Sequence, residues 1–147
     1  MGRYGFMNAL RIPGGHDKEL VEKAISRVHL TEYKNRQIGQ LSGGQRKRAF
    51  VGRALAQGAS ILLLDEPFAG VDMKTENSLI ALLQELKKQG VTTLIAAHNI
   101  DVIGTYCDSM ILINKIVVAA GPTKEVFTKE NIARTYGVIP NRNLSLL

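Results

Sequence analysis

Ile61-Leu62-Leu63-Leu64-Asp65-Glu66-Pro67 sets the reading of the fold. Four apolar residues followed by two carboxylates and a proline are too short for an ordinary helix and show no polar alternation. The pattern predicts a strand buried on both faces, with polar chemistry at its C-terminal end. Downstream, Leu79, Leu82, Leu83 and Leu86 fall on one face of a helix that Gly90 ends, and a second apolar run covers Val91 to Ala97. Strand, helix, strand implies a parallel pair joined by a right-handed crossover. Beyond His98 the pattern predicts a short helix near Ile100 to Tyr106 and strands at Met110 to Ile113 and Ile116 to Ala119. Pro122 then opens a helical turn at Lys124 to Phe127, and Lys129 to Tyr136 forms another. From Asn141 the tail is expected to be loose.

Upstream, the character is helical. Asp17 is placed to cap a helix whose apolar residues Leu20, Val21, Ala24, Ile25 and Val28 recur at helical spacing. A polar connection from Tyr33 to Gln40 follows. Ser42-Gly43-Gly44 then opens a second helix from Gln45 to Gln57, stopped by Gly58. The expected organisation is a helical part over 1–58, an α/β part over 59–140 and a tail over 141–147.

Composition narrows the class. The chain has 147 residues, 45% apolar and 22% charged, the balance of a folded domain rather than a disordered one. Apolar runs are a handful of residues long, against roughly 20 for a bilayer crossing. The first eight residues lack an apolar core and a small-residue cleavage site, so export is not indicated. One cysteine, Cys107, can form no internal disulfide. The net charge of +6 is uneven: residues 1–60 carry 11 Lys or Arg against 4 Asp or Glu, and residues 61–147 carry 8 against 9. Such a field steers a nucleotide, a nucleic acid, an acidic membrane surface or an acidic partner alike. Aromatic residues are sparse in the basic part, which argues against nucleic acid.

Three groups of residues can carry chemistry. Ser42-Gly43-Gly44-Gln45 is either an ordinary capped helix start or an anion site, where glycines admit an oxygen to the backbone N–H groups and the helix dipole favours negative charge. The basic residues that follow, Arg46, Lys47, Arg48 and Arg53, read as a solvated face in preference to direct nucleotide contacts. Asp65 and Glu66 end a buried strand, where open α/β sheets place their ligands. One carboxylate can hold the water shell of Mg²⁺ while the other orients or deprotonates an attacking water. His98, at the end of the next strand, is expected at the same sheet edge, where an imidazole can bond a phosphate. His16 and His29 show no metal-ligand spacing with it.

Together these stretches match a family. Leu41 to Gln45, Ile61 to Glu66, Gly70-Val71-Asp72 and His98 resemble, in order and context, the signature motif, Walker B, D-loop and switch histidine of ATP-binding-cassette ATPases. The resemblance implies part of a P-loop NTPase fold: a helical subdomain followed by a mostly parallel sheet with flanking helices. It implies ATP and Mg²⁺ as cofactors, Glu66 as catalytic base, Asp65 as the Mg²⁺ residue acting through water, and His98 as the γ-phosphate sensor. Ser42, Gly43, Gly44 and Gln45 would act in trans on the ATP of a partner subunit, with Asp72 at the dimer contact. The sequence is similar to the branch serving manganese, iron and zinc importers through residues 1–5, Arg36 to Gly39, Phe68 to Asp72 and Gly121 to Thr123. That branch implies an ATPase dimer partner, a membrane permease and an extracytoplasmic metal-binding protein, no nucleic acid, and a cytoplasmic place on the inner face of the cell membrane.

The sequence departs from the family in one respect. No G-x-x-x-x-G-K-[ST] occurs, since Gly14-Gly15 and Gly43-Gly44 lack the Gly-Lys-Ser/Thr that would follow. The chain is therefore expected to begin inside the helical subdomain, as a truncated gene product, a fragment from an incomplete assembly or half of a split ATPase. It is expected to be inactive alone and to expose apolar surface made for absent neighbouring strands. Two other classes stay open. A nucleic-acid-linked ATPase of the repair type would explain the basic N-terminal part but lacks its long insertions, and an inert fragment could dock on a full-length partner.

Overall fold

The computed structural model describes residues 2, 3, 5 and 12–137; the tail expected over 141–147 lies outside the described residues. The chain divides into two compact units, residues 1–97 and residues 98–147.

In the first unit, helix α1 (Gly15–Arg27) is followed by 3₁₀ turns at Thr31–Tyr33 and Ile38–Gln40, helix α2 (Gly43–Ala56), strand β1 (Ile61–Asp65), helix α3 (Met73–Lys88) and strand β2 (Thr92–Ala96). Asp17 does not start α1. Gly14 is the N-cap, and Asp17 stands one turn inside, where its carboxylate accepts from the Gly14 amide at 3.2 Å and from Arg3 Nε at 2.9 Å. A short carboxylate three residues into a helix reaches back to the open amide of the cap, so the helix begins earlier than a cap at Asp17 would allow. The Arg3 bond in turn holds that carboxyl below the usual aspartate range. Gly58 and Gly90 follow α2 and α3 with φ of +78° and +82°, the left-handed conformation that glycine adopts without strain.

β1 and β2 pair in parallel, with Ile61 opposite Thr92 and Asp65 opposite Ala96, as the strand-helix-strand order requires. The helices supply the core. Leu82 and Leu86 of α3 are 1% and 0% exposed, and they cluster with Leu62 of β1, Val51 and Leu55 of α2, and Ala24 of α1. The expectation that β1 is buried on both faces is corrected. Leu62 is 2% exposed but Ile61 and Leu63 are 61% and 74% exposed, and Leu94 of β2 is 58% exposed. Among the described residues only β2 flanks β1, and the helical core covers one face of the pair. The other face is bare apolar surface.

The second unit holds α4 (Ile100–Tyr106), a hairpin of β3 (Ser109–Asn114) and β4 (Ile116–Pro122), α5 (Thr123–Val126) and α6 (Lys129–Tyr136). The two strands expected here form a separate antiparallel sheet, so of the two strand pairs described only β1 with β2 is parallel. Their connection is the single residue Lys115, at φ +61°, too tight for a parallel crossover. Met110, Leu112 and Val126 form this unit's small core. Thr128 caps α6 by accepting from the Asn131 amide at 3.2 Å. No helix among the described residues is long and apolar enough to cross a membrane.

Burial predicts a sharp contrast between two leucines. Leu86→Ala should cost about 2–5 kcal/mol of stability, whereas Leu63→Thr, on the bare face, should change it by about 0.5 kcal/mol or less. Urea denaturation of the 147-residue chain measures both, and equal losses would show that the two faces of β1 are not distinguished as described.

Candidate active site

Asp65 is the last residue of β1 and is exposed, and the chain turns immediately after it. The Glu66 amide donates to the Ala96 carbonyl at 2.8 Å, extending the β1–β2 ladder by one bond. Glu66 itself has φ +47°, a left-handed conformation that costs a non-glycine residue roughly 1–2 kcal/mol. The Glu66 carbonyl then accepts from the Ala69 amide at 3.2 Å, closing a turn. An open cavity of about 160 Å³ borders this turn, lined among others by Lys47, Phe50, Asp65, Glu66 and Pro67.

Lys47 departs from its expected place. It was placed on a solvated face with Arg46, Arg48 and Arg53. Arg46 and Arg53 are exposed, but the Lys47 ammonium donates to the carbonyls of Glu66 at 3.3 Å, Pro67 at 2.6 Å and Ala69 at 2.6 Å. Burial pulls its pKa below the usual lysine value, and the neighbouring Glu66 carboxylate opposes that shift. A signal was present. Gly44, Val51 and Leu55 are the buried face of α2, and Lys47 lies three residues after the first and four before the second, on that face.

Ser42 to Gln45 form a capped helix start. Ser42 Oγ accepts from the Gln45 amide at 3.3 Å, and Gln45 Oε1 accepts from the Ser42 amide at 2.9 Å, so two open amides are satisfied reciprocally. Ser42 and Gly43 are exposed, while Gly44 is buried. A Cβ on Gly44 would collide with the Thr75 methyl. Thr75 cannot simply rotate away, because its amide and hydroxyl donate to the Asp72 carboxylate at 3.0 and 2.7 Å. Asp72 is the N-cap of α3, and these bonds hold its carboxyl below the usual aspartate range, the Thr75 hydroxyl contributing most. The first turns of α2 and α3 are thus packed together, which brings Ser42 to Gln45 and Asp72 to one place. Asp65, Glu66 and Lys47 form a second group in the same unit. His98 belongs to the second unit, where it is exposed and its carbonyl accepts from Tyr136 Oη at 3.1 Å.

Residues 4–69 match the family model described as ABC transporter. The chain is 53% identical over 145 residues to a manganese transport system ATP-binding protein of Synechocystis sp., covering 99% of this chain and 56% of that protein. It is 55% identical over 146 residues to a chelated iron transport system membrane protein of Yersinia pestis, covering 99% of this chain and 49% of that protein. A solved structure of a metal-chelate type ABC transporter in an inward-facing conformation superposes with a TM-score of 0.87 at 28% identity, over 93% of this chain and 55% of that one. Residues 4–69 thus carry the match to the ABC transporter family, and the similarity of the chain runs to proteins of metal transport systems. It spans about half the length of the curated relatives it matches.

The packing of Gly44 on Thr75 predicts a pairwise effect. In an exposed helix interior alanine is favoured over glycine by about 1 kcal/mol, yet Gly44→Ala should destabilise the chain. Thr75→Ser removes the methyl and keeps the hydroxyl on Asp72, so it should recover most of that loss. Thermal unfolding of the two single variants and the double variant gives the coupling, and simple additivity would mean that the close approach is not what requires glycine.

Proposed function

We propose that this chain is the signature and Walker B part of an ATPase subunit that drives import of a transition-metal cation, manganese, iron or zinc. Residues 1–58 contribute to the helical subdomain and 59–140 to the RecA-like core. The observation that carries the reading is the Asp65-Glu66 pair at the C-terminal end of a parallel strand pair, with Glu66 fixed in a tight turn. The similarity to manganese and chelated-iron transport proteins supports the metal class.

Glu66 acts as general base, taking a proton from the attacking water, and its fixed backbone limits where the carboxylate can go. Asp65 orients the water shell of Mg²⁺. Among the described residues no cluster of three or more His, Cys, Asp or Glu could hold a metal ion. One exposed carboxylate with retained waters is the donor set Mg²⁺ accepts beside a nucleotide, so the residues fit it. ATP supplies the phosphoryl bond that is broken, and Mg²⁺ neutralises its charge. His98 hydrogen-bonds the γ-phosphate. Ser42 to Gln45 present a capped helix start to the nucleotide of a second subunit, and Asp72 lies at that contact. The partners are a second ATPase, a membrane permease and an extracytoplasmic metal-binding protein, and the place is the cytoplasmic face of the membrane. Nothing in this sequence matches the phosphate-binding loop pattern. The chain alone is therefore expected to hydrolyse no ATP above buffer.

The test joins this chain to the part of the Yersinia pestis relative that lies outside the match. Glu66→Gln keeps shape and hydrogen bonding but removes the base, so ATP should bind and a closed dimer should accumulate. Ser42→Arg should block the helix start and abolish closure. Size-exclusion chromatography with ATP and Mg²⁺ separates the two, and the reverse pattern would overturn the assigned roles.

A further inference from the structure

An ammonium group has three N–H donors and accepts nothing. Lys47 spends all three on a single turn, on the carbonyls of Glu66, Pro67 and Ala69. Three carbonyl oxygens directed at one point repel each other, and a cation there turns that repulsion into charge-assisted bonds. The turn has a second reason to need support, since Glu66 is held at φ +47° without being a glycine, a state that persists only where its surroundings impose it. Two backbone bonds, Glu66 N to Ala96 O and Ala69 N to Glu66 O, fix its ends, and neither reaches the Pro67 and Ala69 carbonyls. Lys47 does.

We propose that Lys47 is a positioning residue: by gathering the three carbonyls it holds the turn from Glu66 to Ala69 in shape and so sets where the Glu66 carboxylate stands. The same contact ties that carboxylate to α2, whose first turn is Ser42 to Gln45. A shift of α2 when an anion meets its N-terminus would carry the Lys47 ammonium, and with it the turn. The proposal deepens the assignment of Glu66 as base and rests on it for its effect on turnover, while its effect on the turn is independent of that assignment.

Two measurements keep these apart. In the 147-residue chain, Lys47→Met should speed hydrogen exchange of the Glu66 and Ala69 amides about tenfold or more while the amides of Leu82 and Leu86 keep their protection. In the fusion with the Yersinia pestis relative, Lys47→Met should lower kcat about 10²-fold and leave KM for ATP within about twofold. Lys47→Gln, which keeps two N–H donors, should recover part of both losses. Unchanged exchange at Glu66 and Ala69 in Lys47→Met overturns the proposal whatever turnover does, and so does a kcat within about twofold of the parent when Glu66→Gln is inactive. Turnover that survives Glu66→Gln removes the base assignment instead, and the exchange result then decides the hold of Lys47 on the turn. Should Lys47→Met fail to fold, Lys47→Gln is measured in its place, with an intermediate effect on both expected and no effect on either overturning the proposal.

Discussion

Leu82 and Leu86 have almost no contact with water, and the first unit is arranged around them. Burying two leucines this fully contributes about 1.5–3 kcal/mol each, a large share of the margin available to a small domain. α3 can bury them only because its stripe, Leu79, Leu82, Leu83 and Leu86, faces α2 and the Leu62 side of β1 at once. This fixes which face of β1 is inside, and hence that Leu62 is covered while Leu63 is not. Asp65 and Glu66 inherit their position from that packing, since Asp65 ends the strand that the helix pins down and Glu66 follows it.

What the sequence made legible follows from period. A repeat of three and four residues marks α3 and α1, alternation is irrelevant to a four-residue apolar run, and Ser42 with Gln45 three residues on is a local signal complete in itself. The Asp65-Glu66 pair could be placed at a strand end because nothing but the end of an apolar run is needed to place it. The missed features are those with no local signature. The count of faces buried on β1 depends on what packs over each face, and the described helices cover only the Leu62 side. The left-handed conformation of Glu66 depends on the turn it enters, as no property of a glutamate side chain asks for it. Lys47 binds backbone carbonyls, which every residue carries, so its partners leave no trace in residue type. Reading it as solvated was the average expectation for lysine, and only its register with Gly44 and Val51 pointed the other way.

The distribution of charge takes on a different meaning in the structure. Eleven basic residues in the first 60 describe a strong positive field, but not all of it faces outward. Arg3 is spent on Asp17 with both side chains largely buried, at 13% and 15% exposed, and Lys47 is spent on the Glu66 turn. Lys34 pairs with Glu22, a contact between two exposed groups that contributes little. Arg46 and Arg53 are left on the exposed side of α2, the helix whose N-terminus is proposed to meet a phosphate.

α2 joins the two groups of candidate site residues. At its N-terminus Gly44 lies against Thr75, so the Ser42 cap and the Asp72 cap belong to one packed corner. One turn further on, Lys47 reaches the turn that presents Glu66. A helix is stiff along its axis over such a distance, because every intervening peptide is bonded to its neighbour one turn away. Residues proposed to touch a partner's nucleotide and the residue proposed to activate water are thus fixed to the same rod by short contacts, one apolar and one made of charge-assisted hydrogen bonds. The two contacts differ in kind. The Gly44–Thr75 approach has no slack, since a Cβ on Gly44 would collide with the Thr75 methyl, whereas Lys47 reaches the turn through three hydrogen bonds. Any movement passed along α2 would therefore reach both corners, the Asp72 corner through a close approach and the Glu66 turn through the hydrogen bonds of Lys47.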